Sequence, residues 1–240
     1  MEKQTRRGYV PTDEKEFGKD LGMLRTAAEE VSFLLDRGYP VKSATTFVGN
    51  RHLLSERQRL ALARALSPRA QVALRRRKQL SEADMRGKTL HIDGFNTVIT
   101  LEIACSGSTL LRCMDGTVRD LAGMHGTYRL IDKTDRAILL LRETLTSLQI
   151  ERAVFLIDRP VSNSGRLAAR LTELLDGAPF AVGTACENAV DHILKGCGCI
   201  ATAGAIILDE CVGGWFDLTG TVLRTALPDY PYVDFLPADT

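Results

Sequence analysis

Three aspartates, far apart along the chain, are the residues most able to do chemistry. Asp93 ends the apolar run TLHID, Asp158 ends AVFLID, and Asp191 lies in ENAVDHILKG. In open α/β sheets, ligands bind at the carboxyl ends of the strands. Carboxylates from separate elements, with few histidines, favour hard, oxygen-preferring cations. We therefore predict that the three aspartates meet in one cleft and hold Mg²⁺ or Mn²⁺, which can clamp phosphate oxygens and activate water.

Two polar residues extend this predicted site. Asn96 follows a turn at Gly94 and could orient a water or a phosphate. Glu187 precedes Asp191 by four residues in a predicted helix, so both carboxylates would point from one face and could share the metal. For Asp93 and Gly94 the alternative role is structural, because Asp-Gly is also a common hairpin turn.

The segment after Asp158 predicts a seat for a phosphate group. It reads RPVSNSG and leads into an amphipathic helix, for which Ser164 is the predicted N-cap. Arginine and hydroxyl groups at a helix N-terminus can bind phosphate. We assign this role to Arg159, Ser162 and Ser164, with simple helix capping as the alternative.

An α/β fold would position these residues. From residue 89 onward, the pattern predicts strands 89–93, 97–104 and 109–113, a loop over 115–133, helix 134–149, strand 153–158, helix 164–176, strand 179–184, helix 187–195 and strand 198–203. Strands that alternate with helices of this length indicate parallel βαβ units. We therefore predict an α/β domain with a mostly parallel central sheet over residues 86–240, whose C-terminal extension packs against the domain or its neighbour.

A small all-α module precedes the sheet, over residues 1–85. Apolar spacings of three and four predict a helix over 13–37, and Ser55 with Gln58 forms a capping box for another. Residues 51–88 carry eleven basic and three acidic side chains, although the whole chain has a net charge of +1. This excess predicts a phosphate-binding surface, with a solvated basic face as the alternative. The candidate substrate contacts are Arg57, Arg75, Arg76 and Arg77.

Composition disfavours several other functions. No apolar run approaches the roughly 18 residues of a membrane span, and the start has no signal-peptide pattern, so we expect a cytoplasmic protein without membrane contact. The six cysteines form no C-x-x-C pair, which argues against zinc. The sequence has no G-x-x-x-x-G-K-[ST] loop, no convincing G-x-G-x-x-G and no G-x-S-x-G motif. Nucleotide-hydrolysing, dinucleotide-binding and acyl-hydrolase readings are therefore disfavoured.

Residues 89–209 resemble a PIN-like or NYN-type nuclease domain. The shared motifs are IDGFN, with Asp93 and Asn96, then FLID, with Asp158, and NAVDHIL, with Asp191. The resemblance implies a three-layer PIN-like fold and a metal-dependent ribonuclease. The last family motif, a Ser-Asp pair, is replaced here by Ala-Gly at positions 203–204.

The whole chain also resembles uncharacterised prokaryotic proteins that join a helical module of the GNRHLLSERQR kind to such a domain. The resemblance to PIN-like proteins, whose first helix pair often mediates dimers, implies a homodimer. Three functions stay open. The first is metal-dependent hydrolysis of RNA, in which Asp209 or Glu187 could replace the missing carboxylate. The second is a non-catalytic RNA-binding or assembly factor with a degenerate site. The third is hydrolysis of a small phosphorylated substrate.

Overall fold

The computed structural model describes residues 5–18, 21–123 and 126–236, and it places a group of helices before a parallel sheet. These helices are α1 (Asp13–Phe17), α2 (Gly22–Leu35), α3 (Val41–Arg51), α4 (Glu56–Ala65) and α5 (Arg69–Lys78). The predicted capping box at the start of α4 is confirmed. The single helix predicted over 13–37 is instead two helices, since α1 ends at Phe17, with Gly18 as its C-cap, and α2 begins at Gly22. Across the described part of the chain, no helix combines the length and the apolar character needed to cross a membrane.

The rest of the chain alternates strands and helices. The strands are β1 (Thr89–Asp93), β2 (Leu110–Arg112), β3 (Val118–Asp120), β4 (Arg152–Asp158), β5 (Ala181–Glu187), β6 (Cys199–Ala201), β7 (Gly214–Trp215) and β8 (Val233–Asp234). The helices are α6 (Gly94–Cys105), α7 (Thr134–Ser147), α8 (Ser164–Leu174), α9 (Val190–Gly196), α10 (Ala205–Glu210) and α11 (Leu218–Ala226). Five strands form a parallel sheet in the order β5-β4-β1-β6-β7. The predicted α/β fold with a mostly parallel sheet is therefore confirmed.

The strand order reverses at β1. The next two strands of this sheet, β4 and β5, lie on one side of β1, and the last two, β6 and β7, lie on the other. In open parallel sheets, ligands bind outside the carboxyl ends of the strands at such a reversal. The end of β1, at Asp93, therefore lies where a ligand is expected.

Helices cover both faces of the parallel sheet. Ile92 and Phe155 belong to a core that includes residues of α6, α7, α8 and α11. Leu156 and Ile200 belong to a second core that includes residues of α9 and α10. Because successive strand residues point to opposite faces, Phe155 and Leu156 lie in different cores. The result is a helix–sheet–helix arrangement of three layers.

A second, smaller sheet joins the helical module to the rest of the protein. Its order is β3-β2-β8, with β2 antiparallel to β3 and parallel to β8. Leu111 from β2 and Val233 from β8 lie in the same core as Val31 of α2 and Leu62 of α4. This core therefore joins segments from both sides of the predicted boundary at residue 85, and the C-terminal extension packs against the helical module.

Residues 97–104 form most of helix α6, so the strand predicted there is wrong. Asp93 starts this helix as its N-cap, because its Oδ1 accepts a hydrogen bond from the Asn96 backbone N–H at 3.2 Å. No hairpin turn follows Asp93. The prediction failed because α6 is buried along almost its whole length, with Thr97, Thr100 and Glu102 also buried, so the run has no exposed polar face. Periodicity alone cannot distinguish a buried helix from a buried strand. Residues 118–120, predicted as loop, form β3.

Candidate metal-binding cleft

The register of the parallel sheet places three carboxylates on one face at the strand ends. Asp93 is opposite Leu156, and Asp158 is opposite Glu187. Residues two apart on a strand point to the same face, so all of these side chains share one face. That face is covered by α9, the helix that carries Asp191. The cleft at the carboxyl edge of the sheet therefore brings together acids from β1, β4, β5 and α9.

The three predicted aspartates influence one another electrostatically. Asp93 is only 8% exposed, and this burial raises its pKa to about 7. Hydrogen bonds to its carboxylate oppose the shift, whereas repulsion from Asp158 and Asp191 adds to it. Burial, followed by repulsion from Asp191, also raises the pKa of Asp158. Elements that are up to 98 positions apart in sequence thus bring the three carboxylates close enough to repel each other.

The cleft acids are not paired with basic side chains in the segments that the structure describes. Among the described residues, none of the four cleft acids forms an ion pair with a lysine, arginine or histidine. Oxygen donors of this kind fit Mg²⁺ or Mn²⁺. Over the same described ranges, no three His, Cys, Asp or Glu side chains are grouped tightly enough to hold a metal ion as they stand. Ligation by three of these acids would therefore require side chains to move.

Thr202, which sequence reasoning missed, holds the Asp93 carboxylate in place. The buried Thr202 hydroxyl donates to Asp93 Oδ2 at 2.8 Å, while the other oxygen, Oδ1, caps α6. The Gly204 backbone N–H donates in turn to Thr202 Oγ1 at 3.1 Å. Thr202 lies within the strand predicted over 198–203, where a single hydroxyl does not reveal its partner. It was overlooked because an acid was sought at positions 203–204.

Asn96 fixes the loop after β6. Its side-chain Oδ1 accepts a hydrogen bond from the Ala203 backbone N–H at 2.9 Å. Its amide NH₂ group donates to no other described residue, so it can donate to a ligand. Ala203 and Gly204 themselves bring no carboxylate into the cleft.

Neither proposed replacement for the missing carboxylate lies as expected. Both oxygens of Asp209 bind Arg75, at 2.6 and 2.8 Å, so Asp209 is engaged outside the cleft. Glu187 is the last residue of β5, and α9 begins only at Val190. The predicted stacking of Glu187 over Asp191 in one helix is therefore wrong. The edge strand β5 is half-buried along most of its length, which hid its end from the sequence pattern.

Two of the predicted phosphate contacts lie near the end of β4 and are exposed. The Arg159 guanidinium donates to the Cys186 backbone carbonyl, at 3.1 Å from Nε and 2.6 Å from Nη2. Ser162 Oγ accepts from the Tyr128 backbone N–H at 3.2 Å. Both side chains therefore fasten neighbouring loops, and each leaves atoms free for a ligand.

Ser164 does not act as the N-cap of α8. The N-cap is Asn163, which has a left-handed backbone with φ of 62°, and Ser164 is the first helical residue. The Ser164 hydroxyl donates to the Arg159 carbonyl at 3.4 Å, and its side chain is buried. Ser164 therefore stabilises the turn that leads into the helix, and a direct contact with phosphate is not available to it.

The basic face of the helical module is largely used inside the protein. Arg57 forms an ion pair with Asp13 at 2.7 Å and donates to the Leu121 carbonyl. Arg75 is 1% exposed and binds Asp115 and Asp209. The prediction that these two arginines contact substrate is therefore wrong for this structure. The prediction failed because the acidic partners of the two arginines are 40 to 134 positions away in sequence.

Arg76 and Arg77 keep their side chains at the surface. Arg76 makes one hydrogen bond, to the Met114 carbonyl at 3.3 Å. Arg77 has no partner within the described segments. These two arginines are the members of the predicted set that can still meet a phosphate backbone.

The fold and the cleft define a parallel α/β protein with an acidic site at the reversal of its strand order. The chain belongs to the family described as "Domain of unknown function (DUF5616)", whose model matches residues 82–221. A second model, "Protein of unknown function (DUF434)", matches residues 23–78, which cover the helices α2 to α5. "Uncharacterized protein MJ0935" from Methanocaldococcus jannaschii is 34% identical over 185 residues, which are 77% of this chain and 88% of the relative. No solved structure is significantly similar to the chain.

Proposed function

We propose that the protein is a metal-dependent phosphodiesterase that hydrolyses RNA. The observation that carries this proposal is the buried Asp93, whose pKa is raised to about 7 beside two further carboxylates, with no basic side chain paired to it among the described residues. Holding such groups together is unfavourable, and a divalent cation would remove the repulsion. Perturbed acids in a cleft of this kind are typical of functional sites. The choice of RNA rests on the resemblance to PIN-like domains.

In this proposal the cleft residues have distinct roles. Asp93, Asp158 and Asp191 hold Mg²⁺ or Mn²⁺, with Glu187 beside them, and Thr202 keeps the Asp93 carboxylate oriented. When bound, the metal supplies a charge that polarises phosphate oxygens and lowers the pKa of water. The remaining roles belong to residues that position the substrate: Asn96, Arg159 and Ser162 for the phosphate, and Arg76 and Arg77 for the strand.

The deciding experiment is cleavage of labelled single-stranded and structured RNA in Mn²⁺. Asp93→Asn should lower the rate by about 100-fold or more, because even outer-sphere partners of a metal contribute about 10- to 100-fold. Asp229→Asn is the matched control, since Asp229 is exposed and lies outside the cleft. Equal cleavage by wild type and Asp93→Asn would remove Asp93 from the mechanism.

A second candidate is a non-catalytic RNA-binding or assembly factor. It is favoured by the loop at 203–204, which supplies no carboxylate. This function predicts RNA binding that weakens steeply with salt, that survives Asp93→Asn and that needs no metal. A filter-binding titration at several salt concentrations, with and without EDTA, separates it from the first candidate.

A homodimer and a cytoplasmic location complete the proposal. Phe33 of α2 and Phe47 of α3 are 54% and 68% exposed and line one surface groove, which would suit a protein contact. Sedimentation of wild type and Phe47→Ser would show whether this groove is a dimer seam. All six cysteines are free, as is typical of a reducing compartment.

A further inference from the structure

A set of hydrogen bonds links the cleft to the helical module through the loop after β6. Ala203 is held at both of its backbone groups. Its N–H donates to Asn96 Oδ1 at 2.9 Å, and its carbonyl accepts from Arg119 Nε at 2.7 Å. The preceding residue, Thr202, donates to Asp93 Oδ2. The position of the Asp93 carboxylate therefore depends on a loop that Arg119 fixes from outside the cleft.

Arg119 lies on β3 and contacts three different parts of the protein. Besides Ala203, its guanidinium donates through Nη1 to the carbonyl of Arg64, in the last turn of α4, and through Nη2 to Asp115 Oδ2 at 2.6 Å. The side chain is 11% exposed. A planar guanidinium can satisfy three acceptors in fixed directions, which a lysine cannot do.

Arg75 continues the connection into helix α5. It binds Asp115 Oδ2 at 2.7 Å and both oxygens of Asp209 on α10. Helix α10 begins at Ala205, directly after the loop. Lys78, also on α5, donates to carbonyl groups at the C-terminal end of α10, with distances of 2.5 to 3.3 Å. The helical module thus fixes the loop through Arg119 and the following helix through α5.

We infer that the helical module is a positioning element for the cleft, and that Arg119 and Arg75 act through the 202–204 loop on Asp93. Both arginines act through other residues and not on the cleft acids directly, so both are positioning residues. The consequence for metal affinity rests on the proposed function. Part of the arginine excess in the helical module then serves to position the cleft. Only the exposed arginines remain available to contact nucleic acid.

The test uses the protein with Arg119→Ala, Arg119→Lys and, as a matched control, Arg86→Ala, since Arg86 is exposed and precedes the amino end of β1, away from the cleft. Two quantities are measured: the Kd for Mn²⁺, by calorimetry, and the exchange rate of the Ala203 amide proton, by NMR. Arg119→Ala should weaken Mn²⁺ binding by about 10-fold, as loss of outer-sphere partners does, and should speed Ala203 exchange. Arg119→Lys should recover part of both effects, and Arg86→Ala should match wild type.

Wild-type values of both quantities in a folded Arg119→Ala protein would overturn the inference. Faster exchange with unchanged Mn²⁺ affinity would also overturn the positioning role. If Arg119→Ala does not fold, Asp209→Asn is measured instead. This variant weakens the contact between Asp209 and Arg75, at the more exposed end of the same network. If the wild type binds no Mn²⁺, the proposed function fails. The exchange rate of the Ala203 amide proton then tests separately whether Arg119 holds the loop. An unchanged rate in Arg119→Ala would show that it does not.

Discussion

Two buried aspartates in this protein, Asp115 and Asp93, have pKa values that are shifted in opposite directions. Asp115 is 2% exposed, and although burial alone would raise its pKa, Arg119, Thr117 and Arg75 bring the pKa below its ordinary value. Asp93 is 8% exposed and receives hydrogen bonds but has no basic partner in the described part of the chain, so burial raises its pKa to about 7. The two sites differ in what surrounds the carboxylate, not in how deeply it is buried.

This difference separates a structural site from a functional one. A buried acid with two guanidinium partners has its charge compensated within the fold, and removing either side is destabilising. A buried acid whose charged neighbours are all acidic is unfavourable in its ionised form until a proton or a cation arrives from solution. The cleft is therefore the place where this protein is expected to respond to pH and to metal.

The largest expected effect concerns pH. Asp93 loses its proton near pH 4 in the unfolded chain but near pH 7 in the folded one. The folded state therefore binds the extra proton between these values, and the free energy of unfolding should fall by up to about 4 kcal/mol from pH 4 to pH 7. Urea unfolding of wild type and Asp93→Asn at several pH values, in buffer without divalent metal, measures how the free energy of unfolding depends on pH.

The Asn variant should lack that decline, and Asp229→Asn should retain it. Asp115 contributes with the opposite sign, because its pKa is lowered: its stabilisation is present above pH 4 and disappears as the pH falls through the folded value. Identical slopes in wild type and Asp93→Asn would show that the two aspartates do not differ as described.

The next effect concerns the paired site. Arg75→Met removes a cation that is 1% exposed and leaves Asp115 with fewer partners, so it should lower the free energy of unfolding by about 3 kcal/mol. Arg77→Met, two positions along the same helix, should change it by no more than about 0.5 kcal/mol. Chemical denaturation of both proteins at pH 7 tests this, and equal stabilities would mean that the buried cluster is not an ion-pair site.

The smallest effect concerns the edge of the cleft. Asp191 is exposed and repels both Asp93 and Asp158, so Asp191→Asn should raise stability by up to about 0.5 kcal/mol when no divalent metal is present. The same variant should bind Mn²⁺ more weakly. If Asp191→Asn instead lowered the free energy of unfolding in metal-free buffer, Asp191 would be an acid that stabilises the fold.

The sequence allowed Asp93 and Asp158 to be placed at the sheet edge because an acid that ends an apolar strand has a recognisable pattern. It did not reveal Thr202, since a single hydroxyl carries no signal until its neighbour across the sheet is known. Helix α6 was mistaken for a strand because its apolar residues show no period. The role of Arg75 was also missed, because its acidic partners come from segments far along the chain.

The small sheet has a consequence for biosynthesis. Its strand β8 pairs with β2 only after residue 233 has been made, whereas the helices that share this core leave the ribosome first. Contacts of such long sequence separation form late. We therefore expect the part of this core that β8 covers to stay accessible until residue 233 has been made, and limited proteolysis of stalled nascent chains would show it as a protease-sensitive segment.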